Sequence, residues 1–153
     1  MILIADSSAL ITLATVDKLW ILDEIFGVVY IPQAVYDELT IDNKAESKIL
    51  TEYCKDKIYK INHELYFNIV LGSGESEAII LYKELNANFL LCDDKKAKKY
   101  AQSLDINVIG SLGLLLKEKG LITDISSLIE KLKQSLIYID NKVYQLVLEL
   151  AKE

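Results

Sequence analysis

Short apolar runs alternate along the chain with longer segments in which apolar residues recur at helical spacing. Runs rich in branched and aromatic side chains predict strands at residues 2–5, 28–31, 58–61, 89–92 and 108–109. Helical spacing predicts helices at residues 8–16, 18–26, 33–39, 44–53, 75–85, 93–104, 111–119, 124–135 and 140–151. Pro32 is expected at the first position of the third helix, where its missing N–H costs nothing. The alternation favours an α/β fold: a three-layer α/β/α sandwich whose mostly parallel sheet has about five strands.

This alternation continues without an interrupting segment. The 153 residues include a single proline, and they contain no Ser/Pro-rich linker and no repeat of fixed period. We therefore expect one domain over residues 1–153, with the closing helices from about residue 124 packed on it. In the last of these helices Val143, Leu146, Val147 and Leu150 form one apolar stripe, which predicts core packing.

The charge of the chain narrows the classes of function. Acidic residues number 23 and basic residues 17, which gives a net charge of −6, and every basic residue is a lysine. A protein that coats nucleic acid through a strongly basic surface is excluded, so any nucleic-acid contact has to come from a local patch. The densest basic run, KKAKK at 95–99, offers Lys95 and Lys96 as phosphate-binding residues, with a solvated helix face as the alternative interpretation.

Cysteine and histidine are too few for several common kinds of site. Cys54 and Cys92 are far apart and are interpreted as core thiols of a reducing, cytoplasmic setting. His63 is the sole histidine, which excludes a His-based transition-metal site. Asp6 interrupts the apolar N-terminal segment, and no uncharged apolar run reaches the roughly 20 residues that span a bilayer. We therefore expect a cytoplasmic protein that makes no membrane contact.

The residues that follow the strands are informative, because ligand sites of open α/β sheets lie beyond the carboxyl ends of the strands. Acids occupy these positions: Asp6 after the first predicted strand, Glu38 on the helix after the second, Glu75 and Glu77 after a glycine-rich turn, and Asp93 and Asp94 after the fourth. We expect at least four of these carboxylates to surround one cleft. Each acid could instead cap or flank a helix N-terminus, where negative charge is favourable.

A cluster of carboxylates repels itself, and the chain has no arginine to neutralise it. Mg²⁺ and Mn²⁺ solve this problem, since they take oxygen ligands and bind through a few carboxylates together with substrate phosphate. Such a metal activates water for in-line attack on a phosphodiester. The sequence therefore predicts Mg²⁺ or Mn²⁺ as the cofactor of a hydrolytic site. A phosphotransfer domain that uses one Asp is disfavoured, because position 8 is a serine and the paired acids follow the fourth strand.

Six segments in order carry a family resemblance: IADSSALI (4–11), VYIPQAVYDEL (29–39), LGSGESEAI (71–79), FLLCDDKKAKKYA (89–101), VIGSLGLLLKEKGLI (108–122) and YQLVLELAKE (144–153). Together they cover essentially the whole chain, and they resemble a VapC-like branch of the PIN-domain nucleases. The resemblance implies a parallel sheet in an α/β/α sandwich and a metal-dependent ribonuclease. It implies RNA as the substrate, with the toxins of VapBC toxin–antitoxin pairs as relatives. An antitoxin protein and a second copy of the chain, as in a homodimer, are the protein partners to consider.

The resemblance also implies a catalytic set of Asp6, Glu38, Glu75 and Asp93, of which Asp6, Glu38 and Asp93 would hold the metal. Glu77 remains the alternative to Glu75, and Asp94 the alternative to Asp93. Ser8 and Ser111 are candidate supporting residues, because their hydroxyls can hold a carboxylate, although both also suit a helix N-cap. The competing function is a catalytically weak or inactive PIN-like module that binds RNA or protein without cleaving it.

Overall fold

Strands and helices alternate in the structure as the sequence predicts. The computed structural model describes residues 1–41, 45–63, 71–117, 124–135, 137 and 139–151. The strands are β1 (Ile2–Ala5), β2 (Val28–Pro32), β3 (Ile58–Tyr59), β4 (Phe89–Leu91) and β5 (Val108–Ile109). The helices are α1 (Ser7–Thr15), α2 (Trp20–Phe26), α3 (Gln33–Ile41), α4 (Ala45–Cys54), α5 (Ser73–Glu84), α6 (Lys95–Ser103), α7 (Ser111–Lys117), α8 (Ile125–Lys133) and α9 (Asn141–Ala151).

The five strands form one sheet in the order β3-β2-β1-β4-β5. Every neighbouring pair is parallel, and Ile4 of the central strand β1 pairs with Tyr30 on one side and with Leu90 on the other. The chain therefore builds outward from β1 in one direction, then crosses over through α5 and builds outward in the other. This crossover places β1 and β4 side by side at the centre of the sheet, and it confirms the predicted parallel α/β architecture.

Helices cover both faces of the sheet, because successive side chains of a strand point to opposite sides. Leu3 and Ala5 of β1 belong to the larger core cluster, while Ile4 between them belongs to the smaller one. The larger cluster contains buried residues of α1, α2, α3, α4, α7, α8 and α9. The smaller cluster contains buried residues of α5 and α6. The result is the three-layer α/β/α sandwich that the sequence predicts.

Most strand and helix ends differ from the prediction by one or two residues, and the ends of β2 and β3 show why. Pro32 ends β2 and pairs with Tyr59, so it is not the first helical residue as expected, and α3 begins at Gln33. A proline can occupy the end of a strand, since it loses only one ladder hydrogen bond there. The third strand is also shorter than the predicted 58–61, because only Ile58 and Tyr59 pair with β2. Lys44, at the predicted start of α4, and residues 118–119, at the predicted end of α7, lie outside the described residues.

The predicted stripe of the last helix is only partly correct. Val147 is buried as expected, but Leu146 and Leu150 are 54% and 58% exposed. The buried face of α9 instead runs through Tyr144, Val147 and Ala151. In the described ranges, no helix combines the length and the apolar character that crossing a bilayer requires.

Candidate active site

The central strands β1 and β4 bring two predicted site acids to the same edge of the sheet. Asp6 directly follows β1, and its backbone N–H donates to the carbonyl oxygen of Leu91, the last residue of β4, at 2.9 Å. Asp93 follows that strand after one intervening residue, Cys92. The carboxyl ends of β1 and β4 therefore place Asp6 and Asp93 at the switch point of the sheet, where α/β folds bind ligands.

Asp6 is a buried carboxylate, only 1% exposed. Its Oδ1 accepts a hydrogen bond from the backbone N–H of Ser7 at 2.8 Å, so it also caps α1. Its Oδ2 accepts from the Ser8 hydroxyl at 3.4 Å and from the Cys92 thiol at 3.6 Å. Burial, opposed by the Ser7 hydrogen bond and reinforced by the charges of Glu75 and Glu38, raises the pKa of Asp6 to about 6. Burial is the largest cause of this shift, and the charges of the two glutamates add to it.

Glu38 reaches this edge from α3, and two groups hold its carboxylate there. The Ser7 hydroxyl donates to Oε2 at 3.0 Å, and the backbone N–H of Gly74 donates to Oε1 at 3.0 Å. The lack of a side chain at Gly74 permits this contact, because a Cβ there would lie 2.6 Å from the same Oε1 atom and the carboxylate would have to shift. Ser7 therefore links Glu38 to the Asp6 turn, while Gly74 links it to the first turn of α5.

Glu75 and Glu77 have different surroundings. Glu75 accepts a hydrogen bond from the backbone N–H of Gly72 at 3.0 Å, and its charge acts on Asp6. Glu77 accepts from the backbone N–H of Ala34 at 2.8 Å and so caps the first turn of α3. Glu75 therefore caps its own helix and contributes to the raised pKa of Asp6, whereas Glu77 binds the neighbouring helix.

The two aspartates after β4, Asp93 and Asp94, also have different hydrogen-bond partners. Ser111 donates to Asp93 twice, from its backbone N–H to Oδ1 at 2.7 Å and from its hydroxyl to Oδ2 at 2.6 Å. The backbone N–H of Asp93 itself donates to the Ser8 hydroxyl at 3.4 Å. Asp94 is exposed and caps α6, accepting from the backbone N–H of Ala97 at 2.8 Å. Asp93 therefore belongs to the network that contains Asp6, whereas Asp94 caps a helix.

The lysines of α6 are not equivalent. Lys95 and Lys96, the predicted phosphate-binding residues, are both exposed. Lys98 is half-buried, and its side chain reaches the end of β5, where a Cβ on Gly110 would lie 2.8 Å from Nζ. The same Cβ would lie 3.3 Å from Oδ1 of Asp93. Lys98 therefore lies near Asp93, although nothing in the sequence distinguishes it from the other lysines of the basic run.

The acids lack cationic partners in the part of the chain that the structure describes. None of Asp6, Glu38, Glu75 and Asp93 forms an ion pair with a described lysine or histidine within 4.0 Å. Hard divalent cations suit this donor chemistry of carboxylate oxygens. In the described ranges, however, no three His, Cys, Asp or Glu side chains are arranged so as to hold a metal ion. The donor chemistry fits Mg²⁺ or Mn²⁺, whereas the positions do not form a complete coordination cage.

Sequence reasoning did not identify several residues that hold these acids. Ser7, Gly74 and Cys92 each bond directly to Asp6 or Glu38. The sequence predicts Cys92 only as a core thiol. Burial, together with the charges of Asp6 and Asp93, raises the pKa of this thiol, so it stays a protonated donor. Ser7 and Cys92 could have been identified from their positions, because each directly adjoins a predicted site acid.

Comparison with known proteins agrees with this architecture. A family model described as a PIN domain matches residues 2–153. The fold is similar to that of a PilT N-terminus domain protein from the hyperthermophilic archaeon Sulfolobus solfataricus P2, with a TM-score of 0.52 and 22% sequence identity. That similarity covers 76% of this chain and 92% of the archaeal chain. No curated protein is similar enough to the chain to count as a relative.

Proposed function

Because the chain belongs to the PIN-domain family, whose members are generally nucleases, we propose that it is a divalent-metal-dependent endoribonuclease that hydrolyses RNA phosphodiesters. The observation that carries the proposal is the buried Asp6 carboxylate, which has no cationic partner among the described residues and is linked through Ser8 to Asp93. A structural acid that is 99% buried would normally have a cationic partner. A hard cation supplied from solution would provide the missing charge.

The proposed roles follow from the contacts of each side chain. Asp6, Glu38 and Asp93 would hold Mg²⁺ or Mn²⁺, and the bound metal would supply an activated water and stabilise charge on the phosphodiester. Glu75 would complete the acidic cluster or orient the attacking water. Ser7 and Ser111 would fix the directions of the Glu38 and Asp93 carboxylates, to which they donate at 3.0 Å and 2.6 Å. Ser8 would connect the Asp6 and Asp93 turns.

The biological setting belongs to the same proposal. The resemblance to VapC-like PIN proteins supports a role as the toxin of a toxin–antitoxin pair, with an antitoxin protein as partner. The two unpaired cysteines, both buried, suit a cytoplasmic protein. Homodimers are the commonest symmetric assembly, and we propose that state here.

Cleavage of labelled RNA tests the proposed function. Purified protein should cleave single-stranded or structured RNA in Mn²⁺, and EDTA should abolish the cleavage. Asp6→Asn should lower the rate at least about 100-fold, because it removes a carboxylate at the centre of the network. Asp94→Asn is the matched control, since Asn also caps helices and position 94 lies on the exposed start of α6. Cleavage that survives EDTA, or that is unaltered in Asp6→Asn, would contradict the assignment.

One observation favours the competing function, a module that binds RNA or protein without cleaving it. The acids in the described residues do not form a ready-made metal cage. Calorimetric titration with Mn²⁺ separates the two functions. The nuclease should bind Mn²⁺ and lose that binding in Asp6→Asn, whereas a non-cleaving module should bind RNA equally well with and without the metal.

A further inference from the structure

The ε-ammonium group of Lys98 borders the same small space as the Asp93 carboxylate. A Cβ added to Gly110 would contact both groups, with Nζ of Lys98 at 2.8 Å and Oδ1 of Asp93 at 3.3 Å. Gly110 immediately follows β5 and precedes Ser111, which donates to both oxygens of Asp93. The absence of a side chain at position 110 therefore leaves room for a cation next to the acidic edge of the sheet.

This cation has no protein acceptor in the described part of the chain. No described residue accepts a hydrogen bond from Lys98 Nζ, and none forms an ion pair with it within 4.0 Å. Other lysines do have such partners; Lys83 donates to the carbonyl oxygen of Leu104 at 2.7 Å. An ammonium group on a half-buried lysine, with no acceptor among the described residues and close to Asp93, is available to an anionic ligand.

The substrate of the proposed reaction needs such a group. A phosphodiester is an anion, and its approach to Asp6, Glu38, Glu75 and Asp93 is opposed by their charge and by the net charge of −6. A lysine binds phosphate as a compact point charge with three donors. Lys95 and Lys96 are exposed at the start of α6, while the side chain of Lys98 reaches the end of β5.

We propose that Lys98 binds the phosphate of the RNA bond that is cleaved, whereas Lys95 and Lys96 contribute only to the general attraction of the strand. This inference rests on the proposed function, because it assigns a substrate contact within the same site. Lys98 is then a specific phosphate-binding residue, and Gly110 is the position whose small size admits its ammonium group.

The variant that tests the proposal is Lys98→Ala, with Lys98→Arg as the conservative replacement. Lys142→Ala is the matched control, because it removes the same charge from an exposed position on α9. In Mn²⁺, Lys98→Ala should lower kcat/KM for a labelled single-stranded RNA about 100-fold, mostly through kcat, as expected for the loss of one preorganised contact to the reacting group. Lys98→Arg should retain most of the activity, and Lys142→Ala should resemble the wild type.

RNA binding in EDTA gives a second readout that does not require cleavage. Fluorescence anisotropy with the same RNA at several salt concentrations should show that Lys98→Ala weakens binding. The slope of log K against log salt should become shallower by about 0.7, the value for one lost phosphate contact on a single strand. Mn²⁺ affinity measured by calorimetry should be unaltered, because Lys98 is assigned to the phosphate and not to the acids.

The outcomes separate the two proposals. If the wild type cleaves RNA and Lys98→Ala cleaves it equally well, the Lys98 assignment is wrong while the nuclease function stands. An equal loss of kcat in Lys95→Ala or Lys96→Ala would also overturn the assignment. If the wild type does not cleave in Mn²⁺, the nuclease function fails, and an unaltered salt slope in Lys98→Ala would then reject the phosphate contact as well.

Discussion

At the scale of single residues, the adjacent hydroxyls of Ser7 and Ser8 contact different acids. Ser7 donates its hydroxyl to Glu38, and Ser8 donates its hydroxyl to Asp6 while accepting from the backbone N–H of Asp93. Two adjacent hydroxyls on the first turn of α1 therefore contact acids from three parts of the chain. The sequence predicts Ser8 as a supporting residue, but Ser7 makes the shorter contact, 3.0 Å from its hydroxyl to Oε2 of Glu38.

Gly74 offers a test of the position of Glu38. A Cβ at residue 74 would lie 2.6 Å from Oε1 of Glu38, so Gly74→Ala should displace that carboxylate. Because Glu38 is exposed and its side chain is flexible, we expect the free energy of unfolding to change by less than about 1 kcal/mol. RNA cleavage should nevertheless fall at least about tenfold, toward the rate of Glu38→Gln.

Gly113→Ala is the control for this substitution. Like Gly74, Gly113 lies in a helix, but it is exposed, and a Cβ there would meet no atom of the described residues within 4 Å. It should leave cleavage unaltered and stabilise α7 slightly, since alanine is the better helix former. Equal cleavage by the Gly74→Ala and Gly113→Ala variants would show that the observed position of Glu38 is not required.

At the scale of elements, α5 positions α3 through a capping contact. Glu77 on α5 accepts a hydrogen bond from the backbone N–H of Ala34 in the first turn of α3, and the two helices pack together. Glu38 projects from the same helix to the acidic edge. Glu77, a candidate site acid in the sequence, therefore supports the helix that carries another candidate, Glu38.

Replacing Glu77 tests this distinction between the two glutamates of α5. Glu77→Ala should lower the free energy of unfolding by about 1 kcal/mol, the usual cost of a lost cap, as measured by urea denaturation. Cleavage should fall only modestly where the variant is folded, whereas Glu75→Gln should lower cleavage without loss of stability. Glu149→Ala, an exposed substitution on α9, serves as the control. Abolished cleavage at full stability in Glu77→Ala would transfer the catalytic role from Glu75 to Glu77.

The elements themselves were largely predictable, and the exceptions have local physical causes. Strand-length apolar runs marked β1, β2 and β4, because strands buried on both faces need continuous apolar side chains. Boundaries depend on pairing partners that a sequence does not specify, as the shortened β3 and the position of Pro32 illustrate. In α9 four apolar residues fit one stripe, but neighbouring helices bury only one side of it.

At the scale of the whole molecule, the strand order explains why the acids meet. The sequence predicts acids beyond the strand ends, and the order β3-β2-β1-β4-β5 places the ends of β1 and β4 next to each other. Within each acidic pair the sequence favours Glu75 and Asp93 only by position, next to the glycine-rich turn and to the fourth strand. The contact of Asp94 with the Ala97 N–H is a local helix cap that a sequence can indicate, whereas the contact of Glu77 with the Ala34 N–H joins distant parts of the chain and requires the assembled fold.

Burial of the Asp6 carboxylate predicts how the stability of the metal-free protein depends on pH. Its pKa is about 6 in the folded chain, against 3.8 for an unperturbed aspartate. The folded state therefore binds this proton more tightly than the unfolded state does, so the contribution of Asp6 to stability rises as the pH falls from above 6 to about 4. Ionised Asp6 should cost at most about 3 kcal/mol at pH 8.

Urea denaturation in EDTA measures this contribution. Asp6→Asn should be more stable than the wild type at pH 8, and the difference should shrink toward zero near pH 4. Asp94→Asn should follow the wild-type curve at both pH values, because it alters an exposed cap of α6. A difference between Asp6→Asn and the wild type that is the same at pH 8 and pH 4 would show that Asp6 is not held in a perturbed environment.

The helices α8 and α9 pack against α1 and α7, whose first turns carry Ser7, Ser8 and Ser111. Helices α8 and α9 therefore support the two helices from which these hydroxyls project. Under the proposed function, substitutions in the buried faces of α8 and α9 should therefore alter the rate of RNA cleavage, because they disturb the helices that carry these hydroxyls.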